Sequence, residues 1–406
     1  LDSLMTTHPC RVEIRTHSLE DNFKFLLSLT APYAELMAVV KDDAYGHSLE
    51  LCAPAAAHAG ARWLGVATVE EGVAARALCP KARVLVLCGV FTGQGAAAVE
   101  HRLTTVAWQL WQLDELEGAA RTAGVPAGSL PIHLEIDTGM SRQGVAAEEF
   151  RPEGGSAREL LARFHPGSPL QLEGVMTHLY AADEADGRVT AAQLVLLEEA
   201  LGNIRAAGLA PEWLHVGNSA TLLTGQTARI ATLAARYGMK AMLRPGLALY
   251  GVVPRFNPEF ERPEPATLAA ARARLQPVLT WKTRVVGVRP VPAGAVVGYN
   301  GTFVATEAMR LALVAAGYAD GLDRRLSNRF SLLVRGQRAP LVGLVSMDSA
   351  IVDVTEIEGV APGDEVVILG EQGGESITAF DHAEATETIP WEVFTRIGAR
   401  VPRIAV

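Results

Sequence analysis

Short apolar runs alternate with helix-patterned stretches through roughly the first 250 residues. The runs are LMAVVK (36–41), WLGVAT (63–68), VLVLCG (84–89), TTVAW (104–108), IHLEID (132–137), LEGVMTH (172–178), WLHVGN (213–218) and MLRPGLALYG (242–251). Between most of them lie Ala/Leu/Glu-rich segments with apolar residues at helical spacing, such as VEEGVAARAL and AAQLVLLEEALGNIRAAG. Eight buried strands separated by helical crossovers predict an α/β fold, a (β/α)8 TIM-like barrel. An open doubly wound sheet would gain support from a GxGxxG turn, and none is present. After the proline-rich, charged stretch PRFNPEFERPEP (254–265), which reads as a linker, the texture changes. Segments such as TWKTRVVGVRPV, RLALVAAGYADG and PGDEVVILG bunch β-formers between Gly, Pro and Asp turns. The pattern predicts a barrel over 15–258 and a C-terminal mostly β domain over 259–406. The alternating CRVEIRT predicts an N-terminal strand, at 8–14, that joins the second domain.

Composition adds limits. The chain has 406 residues, more than one domain usually holds, with 49% hydrophobic and 20% charged residues, an ordinary balance for a soluble enzyme. A net charge of −9 argues against a nucleic-acid or anionic-membrane surface. No apolar run reaches membrane-spanning length. The opening LDSLMTTHPC lacks the basic and apolar regions of a signal peptide, so the expected location is cytoplasmic. Cys10, Cys52, Cys79 and Cys88 form no CxxC pair and lie near no histidine pattern for zinc; they read as structural thiols, and no metal is expected.

In such a barrel, chemistry gathers where strands end and loops begin. Lys41 directly follows LMAVV; Glu135, Asp137 and Arg142 lie in IHLEIDTGMSRQG; His178 ends LEGVMTH; His215, Asn218 and Ser219 sit in HVGNSAT; Arg244 opens RPGLALYG. Singly, each has a bland reading, as a snorkelling lysine or a satisfied core histidine. Five strands carrying such groups point to an active site. A lysine leaving an apolar strand suits Schiff-base formation, because desolvation favours the neutral, nucleophilic amine. Ser219 and the amides after Arg244 have the donors to bind a phosphate.

These segments resemble the alanine racemase family. AVVKDDAYGH is similar to that family's lysine motif for pyridoxal 5′-phosphate (PLP), and DTGMSRQG, GVMTHLYAAD, HVGNSAT, LRPGLALYG, VGYNGTF, GYADG, VSMD and TIPWEVFTRIGARVPR follow in family order. The resemblance spans nearly the whole chain. It implies a PLP-dependent, two-base amino-acid racemase (an isomerase acting on alanine, in D-alanine biosynthesis or catabolism) working as a head-to-tail homodimer with composite sites. It implies that Lys41 carries PLP and serves as one base, with Tyr299 as the opposite base from the second subunit. His178 would hydrogen-bond that tyrosine and link it to Arg244, which faces the pyridine nitrogen, with His215 behind. Tyr45, Ser219, Gly246 and Leu247 would hold the phosphate, with Asn218 and Trp391 among the cofactor contacts. Arg142 and the Met347 amide would take the substrate carboxylate, and Tyr318 would narrow the entrance.

Three positions depart from the family pattern. Asp43 stands where Asn is usual, and either adds an anion near Lys41 or faces solvent. Trp391 replaces a tyrosine whose hydroxyl reaches the phosphate. Glu135 replaces a lysine that is often carbamylated, and either orients Arg142 or makes a structural ion pair. Trp391 motivates a second reading, a racemase of broader specificity reaching serine. A barrel-type PLP decarboxylase would place a carboxylate at the pyridine nitrogen and a cysteine in the second domain, whereas Arg244 fills the former position and no cysteine follows Cys88. A non-catalytic PLP carrier would not need the β domain.

Overall fold

A computed structural model describes residues 8–152, 155–256 and 264–406. The chain divides into two compact units, one of residues 17–44 and 52–276, the other of 8–16, 45–51 and 277–406, within the described residues. The boundary expected at 258/259 lies outside the described residues.

Strand β1 (Arg11–Ile14) belongs to the second unit. The first unit is a closed parallel barrel of β2 (Ala34–Val39), β3 (Trp63–Val66), β4 (Arg83–Val86), β5 (Thr104–Ala107), β6 (Leu130–Asp137), β7 (Leu170–Met176), β8 (Trp213–Gly217) and β9 (Lys240–Leu243). Each strand pairs with its neighbours in sequence, β9 pairs back with β2, and the circle is complete. The expected (β/α)8 barrel is therefore observed, with helices such as Val69–Leu78, Leu110–Thr122 and Arg188–Ala206 between strands. The eighth run differs from its expected form: only Lys240–Leu243 is strand, and Leu247–Tyr250 turns into a 3-10 helix. Pro245 and Gly246 interrupt the extended run, and the Tyr250 hydroxyl anchors the turn by donating to the Val39 carbonyl at 3.0 Å.

Seven strands each send one large side chain into a single buried cluster, Met37, Trp63, Leu85, Val106, Met176, Trp213 and Met242. Trp63 and Trp213 meet edge-to-face with centroids 5.8 Å apart. The remaining strand, β6, contributes a histidine instead: His133, fully buried, lies 5.7 Å from the Trp63 ring. The lumen is thus a packed core with one polar seam.

In the second unit, the thirteen-residue β10 (Leu279–Val291) is the spine. It pairs antiparallel with β1, with β15 (Glu365–Gln372) and with β11 (Met309–Val314). The sheet is extended by β12 (Ser331–Val334), β13 (Gln337–Pro340), β14 (Ala350–Asp353) and β16 (Arg403–Ala405). The mostly β domain and its N-terminal strand are both observed, with two short helices, Ala379–Thr386 and Pro390–Thr395, near its end. The helix Ala266–Arg274, read from sequence as part of the β region, belongs to the barrel unit. Among the described residues no disulfide is formed, and burial pushes the Cys10 thiol up to about 12 although the Trp281 indole donates to it. Among the described residues no helix is long and apolar enough to cross a membrane.

Candidate active site

The chain beyond β2 turns at once into a left-handed coil. Asp42, Asp43, Ala44 and Tyr45 all have φ between 52° and 56°. Such backbone costs about 1–2 kcal/mol per residue for L-amino acids, and Ala and Tyr have no side chain that offsets it locally. The offset comes from Glu71, whose carboxylate accepts from the amides of Asp42 (2.6 Å), Asp43 (3.3 Å) and Ala67 (2.7 Å). Lys41 is held at the mouth of this turn, half-buried, with its ammonium 3.5 Å from the Asp42 carboxylate. Asp42 is therefore an anion at the lysine.

Beside it the loop after β6 is folded around Asp137. One oxygen, Oδ1, accepts from the amides of Gly139, Met140 and Ser141 at 2.9–3.1 Å. Gly144 closes the loop at φ +108°, where an added Cβ would lie 2.7 Å from the Asp137 nitrogen. Arg142 projects from this loop with its guanidinium exposed. Glu135 is buried and its partner is Gln143, which donates to it and to the Leu87 carbonyl. Among the described residues it forms no ion pair with Arg142. Burial raises the Glu135 carboxyl, while Gln143, Arg244 and Arg142 oppose the rise.

Arg244 follows β9 and is buried. Its Nη1 donates to the His215 carbonyl and its Nη2 to the carbonyls of Thr177 (3.0 Å) and Val216 (3.4 Å). Both ends also meet imidazole nitrogens, His215 Nδ1 at 3.2 Å and His178 Nδ1 at 3.4 Å. Arginine is a donor only, so both Nδ1 atoms accept and both rings carry their proton on Nε2. Burial, then the charges of Arg244, Arg142 and Lys41, hold His178 down at about 3. Burial likewise holds His215 well below the ordinary histidine range and brings Arg244 down to about 10, which still leaves it charged at neutral pH. Lys41, Arg142 and Arg244 thus form one electropositive cluster around the neutral His178 at the strand ends.

Ser219 opens the helix Ser219–Leu223, and its Oγ accepts from the amides of Gly246 and Ala248, each at 3.2 Å. The two amides converge on that oxygen, leaving the Ser219 O–H to donate outward, and hydroxyl and amides together are the kind of donors that suit a phosphate. Leu247 lies between them, buried at the start of the 3-10 turn. Asn218 is engaged otherwise: its side chain caps the helix, accepting from the Thr221 amide at 3.2 Å and hydroxyl at 3.1 Å. Tyr45 is buried at the end of the left-handed coil, in the other unit.

In the β unit, Tyr318 and Met347 are brought together. The Tyr318 amide donates to the Ser346 carbonyl and the Ala319 amide to the Met347 carbonyl, both at 3.0 Å. Gly317 permits this approach, since an added Cβ would lie 2.2 Å from the Met347 oxygen. Arg400 ties the same loops by donating to Asp320 and Asp348 at 2.8 Å each. Tyr299 starts a turn between Gly298 and Gly301, both at positive φ, and is 68% exposed; Met347 is 54% and Tyr318 44% exposed. Trp391, 37% exposed on the helix Pro390–Thr395, has an indole N–H that meets no acceptor among the described residues.

Residues 14–254 match the family model described as alanine racemase, N-terminal domain, and residues 278–405 match alanine racemase, C-terminal domain. The chain belongs to the alanine racemase family. It is 39% identical to the alanine racemase of Symbiobacterium thermophilum, over 97% of this chain and 96% of that one. It superposes on the alanine racemase of Streptomyces coelicolor A3(2) with a TM-score of 0.86 at 36% identity, covering 98% of each chain. It also matches the alanine racemase of Bartonella henselae, whose structure has covalently bound pyridoxal phosphate, with a TM-score of 0.80, 26% identity and coverage of 98% and 99%.

The sequence reading missed Glu71, Gln143, His133 and Glu173, all of which shape this site. Glu71 looked like one more charge on an amphipathic helix. His133 carried a usable signal, because it shares the period-2 face of IHLEID with Glu135 and Asp137.

Burying neutral histidines has a signed consequence. His178 falls from 6.5 when unfolded to about 3 when folded, and His133 and His215 move in the same direction. The His178 contribution to stability is complete above pH 6.5 and is lost as pH falls toward 3, and His133 and His215 act in the same sense. Denaturant unfolding at several pH values should show falling stability across this window, and His178→Gln should reduce the proton uptake on unfolding by about one. An unchanged slope would show that His178 titrates normally in the folded state.

Proposed function

We propose that this chain interconverts L- and D-alanine with PLP by a two-base mechanism. The observation that carries the reading is Arg244: a buried cation, not a carboxylate, sits at the centre of the strand-end cluster, which separates a racemase site from a decarboxylase site. The donor set fits the cofactor. Lys41 offers an amine at the rim, Ser219 with the amides of Gly246 and Ala248 offers a phosphate cradle, and Arg244 offers N–H groups to an unprotonated ring nitrogen. Tyr45 and Leu247 would complete the phosphate grip, with His215 supporting Arg244. When bound, PLP supplies an electron sink that acidifies the substrate α-carbon.

The chain's own groups then move the proton. Lys41 Nζ would take or return it on one face and Tyr299 Oη on the other. His178, neutral with its proton on Nε2, can donate to the tyrosine oxygen and so stabilise its deprotonated form. Arg142 and the Met347 amide would hold the substrate carboxylate, and Tyr318 would narrow the entrance. The partner is a second copy of this chain, arranged head to tail, so that Tyr299 and Met347 serve the other subunit's barrel; their exposure supports this. The location proposed is the cytoplasm. Trp391 favours a second reading, in which serine is also turned over.

Borohydride reduction and peptide mapping should place the pyridoxyl group on Lys41, and a label on any other lysine would overturn the assignment. Tyr299→Phe should keep the cofactor spectrum and lose about 10²–10⁴-fold in racemisation. Mixing Lys41→Ala and Tyr299→Phe subunits should restore activity, one composite site being intact in each mixed dimer. Verified subunit exchange without rescue would count against shared sites.

Trp391→Tyr tests specificity. Discrimination per methylene in a pocket is about 1–3 kcal/mol, so an aromatic exchange can alter preference without changing the reaction. With PLP saturating, the ratio of kcat/KM for L-alanine to that for L-serine should rise in Trp391→Tyr. An unchanged ratio would remove Trp391 from substrate choice.

A further inference from the structure

The hydrogen bonds behind Arg244 do not stop at His215. His215 Nε2 lies 2.7 Å from His133 Nδ1, and His133 Nε2 lies 3.2 Å from Glu173 Oε2. Glu173 in turn accepts from Arg83, at the start of β4, whose guanidinium lies over the Trp63 ring at 4.0 Å. Both imidazoles are fully buried, and this chain crosses the lumen from β9 through β8 and β6 to β7.

Only one arrangement of protons satisfies it. Arg244 has no acceptor, so His215 Nδ1 must present a lone pair and its proton sits on Nε2. That proton faces His133 Nδ1, which must accept, so His133 also carries its proton on Nε2 and donates it to Glu173. The reverse order would set a His215 N–H against an Arg244 N–H. Burial works against the Glu173 charge, but hydrogen bonds from His133 and Arg83 hold its carboxyl below the usual range, as an acceptor. Burial keeps both imidazoles neutral.

The backbone is shaped for the chain. In the β6–β7 ladder Ile132 pairs with Leu172 and His133 with Gly174, so Glu173 is the extra residue of a bulge. A bulge re-aims its side chain, here toward His133. Gly174 makes room for the ring, since a Cβ there would lie 2.6–2.8 Å from three atoms of the His133 imidazole.

We propose that His133 and Glu173 are positioning residues that fix, through His215, the tautomer and orientation in which Arg244 meets the cofactor. The proposal rests on the reading of Arg244 as the residue facing the ring nitrogen, and its primary readout does not depend on activity. In histidine-¹⁵N-labelled holoenzyme, the imidazoles of His133 and His215, assigned by substitution, should both be neutral Nε2–H tautomers between pH 6 and 9. A charged ring or an Nδ1–H tautomer at either position overturns the proposal without touching the racemase assignment.

Two variants extend the test. His133→Leu breaks the chain and should disturb the His215 resonances and lower kcat on the order of 10–100-fold, with KM little changed. His133→Gln offers a carbonyl toward His215 and an amide toward Glu173, the same polarity as the native ring, and should restore both signals. Unchanged His215 resonances or an unchanged kcat in folded His133→Leu overturns the proposal. So does a His133→Gln protein as defective as His133→Leu, which would make the role one of packing. Should His133→Leu fail to fold, the wild-type tautomers and His133→Gln still decide. Absence of racemisation by the wild-type holoenzyme would instead strike at the function itself.

Discussion

A guanidinium buried at the end of a barrel strand sets the terms for everything around it. Taking such a charge out of water is costly unless donors find acceptors, and Arg244 finds two carbonyls on β8 and one just past the end of β7. Because arginine brings donors and no acceptor, every group it touches must present a lone pair. That one condition makes His178 and His215 neutral, puts their protons on Nε2, and points the His178 proton away from Arg244. It also accounts for the irregular pairing of β8 with β9: His215 aligns with Met242 and Gly217 with Leu243, so Val216 is skipped and its carbonyl is released to the guanidinium.

The barrel was legible in the sequence because parallel strands buried on both faces read as apolar runs, and the helices between them keep their period. What the runs could not show is where the period breaks. MLRPGLALYG read as one strand because its apolar residues are continuous, yet a proline and a glycine divide it into strand and turn. Glu173 was invisible for a related reason: alternation assigns it a face that the bulge at Leu172–Gly174 changes. Pattern reading assumes an unbroken ladder, and Glu173 and Val216 sit where the ladder is broken.

Residue roles were harder than residue positions. Lys41, Arg142, His178 and Arg244 were legible as a group because charged and titratable side chains at the ends of apolar strands are unusual. Their partners were not, because a partner's identity depends on reach. Asp42 meets the lysine, Gln143 meets Glu135, and Asn218 spends its side-chain oxygen on a helix cap. Glu71 lies about thirty residues from the turn it holds, and its spacing matches any solvated helix face.

The two units solve the problem of holding a side chain by different means. In the barrel, His178, His215, His133 and Glu173 are fixed by hydrogen bonds whose direction is imposed from Arg244 outward, so changing one proton disturbs a whole line. In the β unit, Tyr318 and Met347 are fixed through the backbone, by two successive amides of one turn donating to two successive carbonyls of the other, an approach that glycine at 317 permits and that Arg400 ties from outside. Their side chains remain exposed and free of polar ties. Directed hydrogen bonds suit groups that must keep one protonation state, whereas backbone clamping suits side chains whose shape and position matter more than charge. On the proposed roles, drift at Tyr318 and Met347 would alter which substrates enter, and drift at Arg244 and its partners would alter whether the proton moves at all. Trp391, exposed and with an unpartnered indole N–H among the described residues, is free to vary in the first sense without disturbing the second.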